Sequence, residues 1–213
     1  MSFRAGAHIG QAGRTLRALL TGAKRFCSDR RGIAAVEFAL IAPLLLAMYF
    51  VTMEVAQAIE TNKKVNRLSS MVADLVAQQL DVSTNDLKAI MKIGDTTLQP
   101  YGRTDPKIVI TAIQMTNDAT PKAKVAWSWK VQNGAYSKDV AKNTETTVPA
   151  NLNIANTFLI RVQTELDYRP VLTWAADGKK AAGLTAAFDK LPMEETYYLR
   201  PRVTNTITCS DCP

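Results

Sequence analysis

Apolar and polar positions follow three different rules along this chain. From Ile33 to Val51 the side chains are apolar almost without break, and Glu37 is the one charge among 19 residues. A helix of that length rises about 28 Å, the thickness of a bilayer's hydrocarbon core. It is apolar on every face, unlike a surface helix of a globular domain. From residue 52 to 80 the run becomes periodic. Val55, Ile59, Val65, Leu68, Val72, Leu75, Val76 and Leu80 recur at helical spacing with no Gly or Pro between them. The pattern predicts one helix over residues 33–80, about 70 Å long, with its first half suited to lipid and its second half amphipathic. Pro43 is expected to kink the first half rather than end it.

Beyond residue 80 the period falls to two. Ser83 is a candidate N-cap for a short helix with Leu87, Ile90 and Met91 on its apolar face and Gly94 as its stop. Strands are predicted at 107–115, 122–131, 158–168 and 196–208. In the second, Ala123, Val125, Trp127, Trp129 and Val131 are placed on one face against Lys122, Lys124, Ser128 and Lys130. In the third, Phe158, Ile160, Val162, Leu166 and Tyr168 oppose Arg161, Gln163, Glu165 and Asp167. Pro201 marks the start of the fourth as an edge or a bulge. Such alternation suits an antiparallel sheet with one covered face, and the amphipathic half of the long helix is the obvious cover. The expected fold is α+β, a long N-terminal helix on an antiparallel sheet of about four strands. Residues 132–157 and 173–183 read as loops.

Charge changes the picture of the first 32 residues. The chain of 213 residues carries a formal charge of +7. Residues 1–32 hold seven basic side chains and one acid, a net of +6, so the remainder is almost neutral at +1. The excess is a leader directly ahead of the apolar run, not a nucleic-acid surface. Basic residues there, Arg30 and Arg31 nearest the membrane edge, favour a cytoplasmic N-terminus and an exported C-terminal region. Lys63, Lys64 and Arg67 on the far side weaken this asymmetry, and Glu54 and Glu60 partly offset them. The apolar run is too long for a cleaved secretory signal, and no Ala-x-Ala site with a polar follow-on is evident after it. His8 is the only histidine. That excludes Ser-His-Asp and Cys-His catalysis, and histidine metal sites, from residue 33 onward. No helix-turn-helix, zinc-finger or phosphate-loop motif is present. Trp127 and Trp129 share phase with Val125 and Val131, which favours core packing over a sugar- or base-binding face.

Residues 30–38 read Arg-Arg-Gly-Ile-Ala-Ala-Val-Glu-Phe. A basic head ends in Gly32, and a glutamate stands five places later in an apolar helix. This resembles the type IV prepilin signal. The longer stretch through Leu46 resembles TadE-like pseudopilins of the tight-adherence (Flp pilus) system. A looser similarity reaches Tyr168-Arg169-Pro170 and Tyr198-Leu199-Arg200-Pro201-Arg202. The resemblance implies a pilin-like arrangement: a basic cytoplasmic leader (1–32), a transmembrane and amphipathic helix (33–80), and a periplasmic α+β domain (81–213). It implies that a prepilin peptidase cuts the Gly32–Ile33 bond, and that Glu37, with Phe38 beside it, guides assembly or recognition. A carboxylate in a membrane helix is costly unless partnered, and the α-amino group freed at Ile33 would lie one helical turn away. The other reading of Glu37 is a carboxylate that snorkels to the headgroups. Implied partners are the peptidase, other pilins or pseudopilins, the inner-membrane assembly platform and the lipid bilayer, with no nucleic acid, cofactor or catalysis. Ala35 and Ala39, four apart, would allow close helix packing in lipid.

Cys27 belongs to the leader. Cys209-Ser-Asp-Cys212 closes the chain. Zinc would need two more ligands, so no metal is expected. A disulfide in an oxidising compartment is the first reading, intermolecular pairing the second, and a redox-active pair the third. The functional expectation is an inner-membrane pseudopilin or pilus-assembly component. Its rivals are an uncleaved single-span protein with a partner-binding domain, and a tethered thiol oxidoreductase.

Overall fold

The structure is a computed structural model that describes residues 32–171 and 190–212. The leader through Arg31, Arg30 included, and the predicted loop at 173–183 lie outside the described residues. The chain divides into two units, Met1–Met53 and Glu54–Pro213.

Helix α1 spans Ile33–Ala77 and contains Pro43. In the first unit every residue from Gly32 to Met53 is exposed except Ala42, which is half-buried. Among the described residues α1 is the one helix long and apolar enough to cross a membrane, by length and composition. It ends three residues before the predicted limit. The main-chain N–H of Arg202 donates to the carbonyl of Ala77 at 2.9 Å, so a distant segment closes the helix. The Arg202 guanidinium also pairs with Asp74 at 2.7 Å. A cation at a helix C-terminus meets the negative end of its dipole.

The second unit is built on six antiparallel strands rather than four. Strand β1 (Asp81–Val82) is followed by α2 (Thr84–Met91) and α3 (Ile93–Thr97). Then come β2 (Lys107–Met115), β3 (Ala123–Gln132), β4 (Ala135–Lys138), β5 (Glu145–Thr146), a 3₁₀ turn (Ala150–Leu152), β6 (Phe158–Tyr168), β7 (Leu191–Leu199) and β8 (Thr208–Cys209). The large sheet runs β4-β3-β2-β6-β7, with β5 also beside β3. The two extra strands arise inside the predicted loop 132–157. Asn133 and Gly134 both take positive φ, 50° and 72°. Such a pair makes a tight hairpin whose twist matches its strands, and it folds β4 back on β3.

The fourth predicted strand is displaced. The edge strand β7 is Leu191–Leu199 and pairs with β6 from Leu199 opposite Ile160 to Leu191 opposite Tyr168. It ends ahead of Arg200-Pro201, and the proline within it, Pro192, is tolerated on an edge. Thr208–Cys209 is a separate strand, parallel to Asp81–Val82.

The predicted cover is correct. Val65, Leu68, Val72 and Val76 of α1 share one core with Ile108, Ile110 and Ala112 of β2, Trp127 and Val131 of β3, and Ile160, Val162, Leu166 and Tyr168 of β6. The buried helix face is narrower than its apolar periodicity. Val55 and Ile59 are each 53% exposed, and Leu80 lies outside the helix and is exposed. Thr61, Ser69, Ala73 and Ala77 are buried instead. The Thr61 and Ser69 hydroxyls donate back to the carbonyls of Gln57 and Val65, so small polar groups are buried without loss.

The single-face reading of β3 fails at a bulge. Ala112 pairs with Trp127 while the next residue, Ile113, pairs with Val125. Ala126 is the extra residue, and one extra residue turns all that precede it to the opposite face. Ala123 therefore packs with Ile113, Met115 and Leu159 in a second, small cluster flanked by Val148 and Leu152.

Ser83 caps α2 as predicted. Its hydroxyl accepts from Asp86 N while the Asp86 carboxylate accepts from Ser83 N, a reciprocal capping box. Gly94 does not stop a helix; it lies buried within α3. A Cβ there would meet Ile108 Cδ1 at 3.1 Å and Leu68 Cδ2 at 3.5 Å, so the residue is needed for close approach to the core.

Candidate processing and assembly site

Gly32 immediately precedes the first helical residue, Ile33. A Cβ built at Gly32 would meet nothing within 4 Å. Packing among the described residues thus gives no reason for glycine, and a requirement for it has to come from outside the fold. Glu37 follows Ile33 by four residues and so lies on the same helix face. Glu37 has no ion pair or hydrogen bond among the described residues. Phe38 is 71% exposed and Ile33 is 49% exposed. The four positions singled out from the sequence lie within seven residues, about two helical turns, and are all accessible. Arg30 and Arg31 lie outside the described residues.

The second unit holds a polar constellation around Tyr168 that sequence reasoning missed. Tyr168 OH donates to Glu54 Oε1 at 2.5 Å, and Val171 N donates to Glu54 Oε2 at 2.9 Å. Burial, and then the bond to Glu54, push the Tyr168 phenol up to about 12. The ring of Tyr168 stacks on Tyr101, with centroids 5.1 Å apart. The Arg103 guanidinium lies 5.1 Å from the Tyr101 ring centre and 5.8 Å from that of Tyr168. Arg103 also donates to the Arg169 carbonyl and to Gln57 Oε1, at 2.8 and 3.2 Å. The arrangement ties the 101–104 loop and the end of β6 to the first turn of α1 within this unit. Among the described residues its contacts are those of a strut that joins three segments of the chain. The only sequence signal was Tyr168-Arg169-Pro170, noted for its family likeness. Arg103 and Glu54 had no periodicity to mark them.

The C-terminal cysteines form a disulfide, Cys209–Cys212, with Cα atoms 5.4 Å apart. Their sulfurs, with the Asp211 carboxylate close by, are thus not available as thiolate ligands. Asp211, inside the loop, accepts from Thr84 N at 2.8 Å and Thr84 Oγ1 at 2.6 Å. Those two bonds hold its carboxyl below the usual carboxylate range. Trp127 donates its indole N–H to the Ile207 carbonyl at 2.8 Å, anchoring the same segment in the core. Trp129 is partly buried against that core, in keeping with the packing reading of both tryptophans.

Residues 32–74 match the family model described as TadE-like protein. No curated protein and no solved structure matches the chain. The match begins at Gly32, ends at Asp74 within α1, and includes none of the sheet. From Gly32 to Asp74, then, the chain is similar to TadE-like proteins.

Proposed function

We propose that the chain is a membrane-anchored component of a tight-adherence pilus system, a pseudopilin or assembly factor that performs no catalysis. The observation that carries this reading is the family match starting at Gly32, directly ahead of an exposed apolar helix of membrane-spanning length. Arg30 and Arg31 hold the leader on the cytoplasmic side, and residues 54–213 fold in the periplasm. A prepilin peptidase cuts Gly32–Ile33. The accessible glycine, with open space where a Cβ would stand, fits a narrow protease site. The new ammonium group of Ile33 and the Glu37 carboxylate then lie one turn apart on the same helix face, where Glu37 can meet the amino terminus of a neighbouring subunit.

Mass spectrometry of the protein from native membranes tests the processing step. A mature chain beginning at Ile33 is expected. Retention of residues 1–32 in cells with an active prepilin peptidase overturns the processing and favours an uncleaved single-span protein. Gly32→Trp should leave the leader attached.

A further inference from the structure

The outer edge of β3 carries a gap. Beyond the bulge, β4 pairs with residues 129–132, and before it β5 pairs with Ala123 and Lys124. Val125 exchanges main-chain bonds with the 143–144 turn, Asn143 N to its carbonyl at 2.7 Å and its own N to Thr144 O at 2.9 Å. Residues 126–128 have neither neighbour. A cleft of about 350 Å³ opens at this gap, between β3 and the C-terminal segment. Val125, Trp127, Phe158 and Ile207 form its apolar walls, and the Cys209–Cys212 disulfide bounds it. Lys124 and Lys142 stand at its mouth, both exposed. Among the described residues their ammonium groups have no acid partner, although the neighbouring lysines do: Lys122 pairs with Glu145 at 3.5 Å and Lys130 with Asp139 at 2.9 Å.

Three features coincide: a break in strand coverage, an apolar recess and two unpaired cations. We propose that this cleft binds an acidic peptide segment, short and extended, lying across the 126–128 gap. One aliphatic or aromatic side chain enters the recess, and flanking carboxylates meet Lys124 and Lys142. A peptide fits better than a free small acid because the gap adjoins a strand edge, where an extended chain can add, and because the cleft has an apolar wall for a side chain beside its two cations. The proposal is independent of whether Gly32–Ile33 is cut.

Calorimetric titration of the full-length protein in uncharged detergent micelles tests it, with acetyl-Asp-Leu-Asp-amide and acetyl-Lys-Leu-Lys-amide as probes. The acidic peptide should bind and the basic one should not. Lys124→Glu with Lys142→Glu should weaken the acidic peptide by roughly tenfold or more, and raised salt should weaken it further. Lys138→Glu, on β4 away from the cleft, should change nothing, and circular dichroism should show all variants folded. Failure of the acidic peptide to bind, equal binding of both peptides, or indifference to the double reversal in a folded variant overturns the proposal.

Discussion

The two halves of α1 are made of similar residues and meet opposite fates. Leu44, Leu45 and Leu46 are each more than half exposed, whereas Leu68 is fully buried. Nothing in the intrinsic helix propensity of leucine separates them. The difference is the partner. The second half has a sheet face with Ile110, Ala112, Ile160 and Val162 to pack on. The first half has apolar side chains facing outward on every side, with Glu37 as its one charge up to Val51, a surface that in water would be costly and in lipid is at home. A single helix thus carries two solvents' worth of sequence, and the family match covers both.

The largest effects should come from exchanging those fates. Leu68→Ala removes a buried side chain from the helix–sheet core and should cost about 2–5 kcal/mol of the second unit's stability. Leu45→Ala should leave that stability unchanged. Leu45→Arg should instead lower membrane insertion, by about 2.5–3.5 kcal/mol. Chemical denaturation read by tryptophan fluorescence checks the first pair, and carbonate extraction of membranes checks the last. If Leu45→Ala destabilised the folded unit as much as Leu68→Ala, the contrast between the halves would be wrong.

A smaller effect tests the turn where the second unit begins. Tyr168→Phe removes the 2.5 Å bond to Glu54 and leaves that carboxylate with Val171 N alone among the described residues. A loss of about 1–3 kcal/mol is expected. The pH dependence carries a specific sign. The phenol's pKa is raised on folding to about 12, so its contribution is full below pH 10 and is lost as pH rises toward 12. Wild type should lose more stability than Tyr168→Phe across that window, measured by urea denaturation at each pH. Equal slopes would show that Tyr168 stays a neutral bystander.

These particulars show which parts of the molecule were readable from its sequence. The membrane-length run, Gly32 and Glu37 were legible because each is a local pattern of a few adjacent residues. Strand β2 was legible from its run of β-branched residues and β6 from its alternation, each to the residue. The face of β3 was not, since a bulge at Ala126 inserts one residue without any proline or glycine to announce it. Strand β4 was signalled by Asn133-Gly134, yet its four residues have no apolar alternation of their own. The Glu54–Tyr168–Arg103 strut joins residues far apart in sequence. Its members are single polar side chains, and tertiary structure alone brings them together.

Opening the Cys209–Cys212 disulfide should be milder still. It closes a short loop, so the chain-entropy estimate is about 2 kcal/mol or less. The segment keeps its other ties, β8 on β1 and Trp127 on Ile207. Cys209→Ser with Cys212→Ser should lower the melting temperature slightly while the core tryptophan signal persists. Loss of all tertiary structure on reduction would show that the disulfide, not the core, holds the C-terminal segment.

The smallest expected effect belongs to Asp211, and it isolates what that loop contributes. Its carboxylate accepts two bonds from Thr84, so its folded pKa lies below the ordinary carboxylate value. A depressed pKa contributes stability above the unfolded value and loses it as pH falls through the folded one. Asp86, depressed in the same direction by its bonds with Ser83, acts on the same helix end and must be separated from it. Asp211→Asn keeps an oxygen that can accept from Thr84 but removes the charge near the N-terminus of α2, which the helix dipole favours. The variant should therefore be slightly less stable than wild type at neutral pH and should converge with it in acid. Asp86→Asn should show its own convergence, and the double variant should lose slightly more than the sum, because each single change also relieves the repulsion between the two carboxylates. Melting curves from neutral pH down through the carboxylate range measure this. If Asp211→Asn tracks wild type at every pH, the disulfide loop positions its acid without stabilising the helix beneath it.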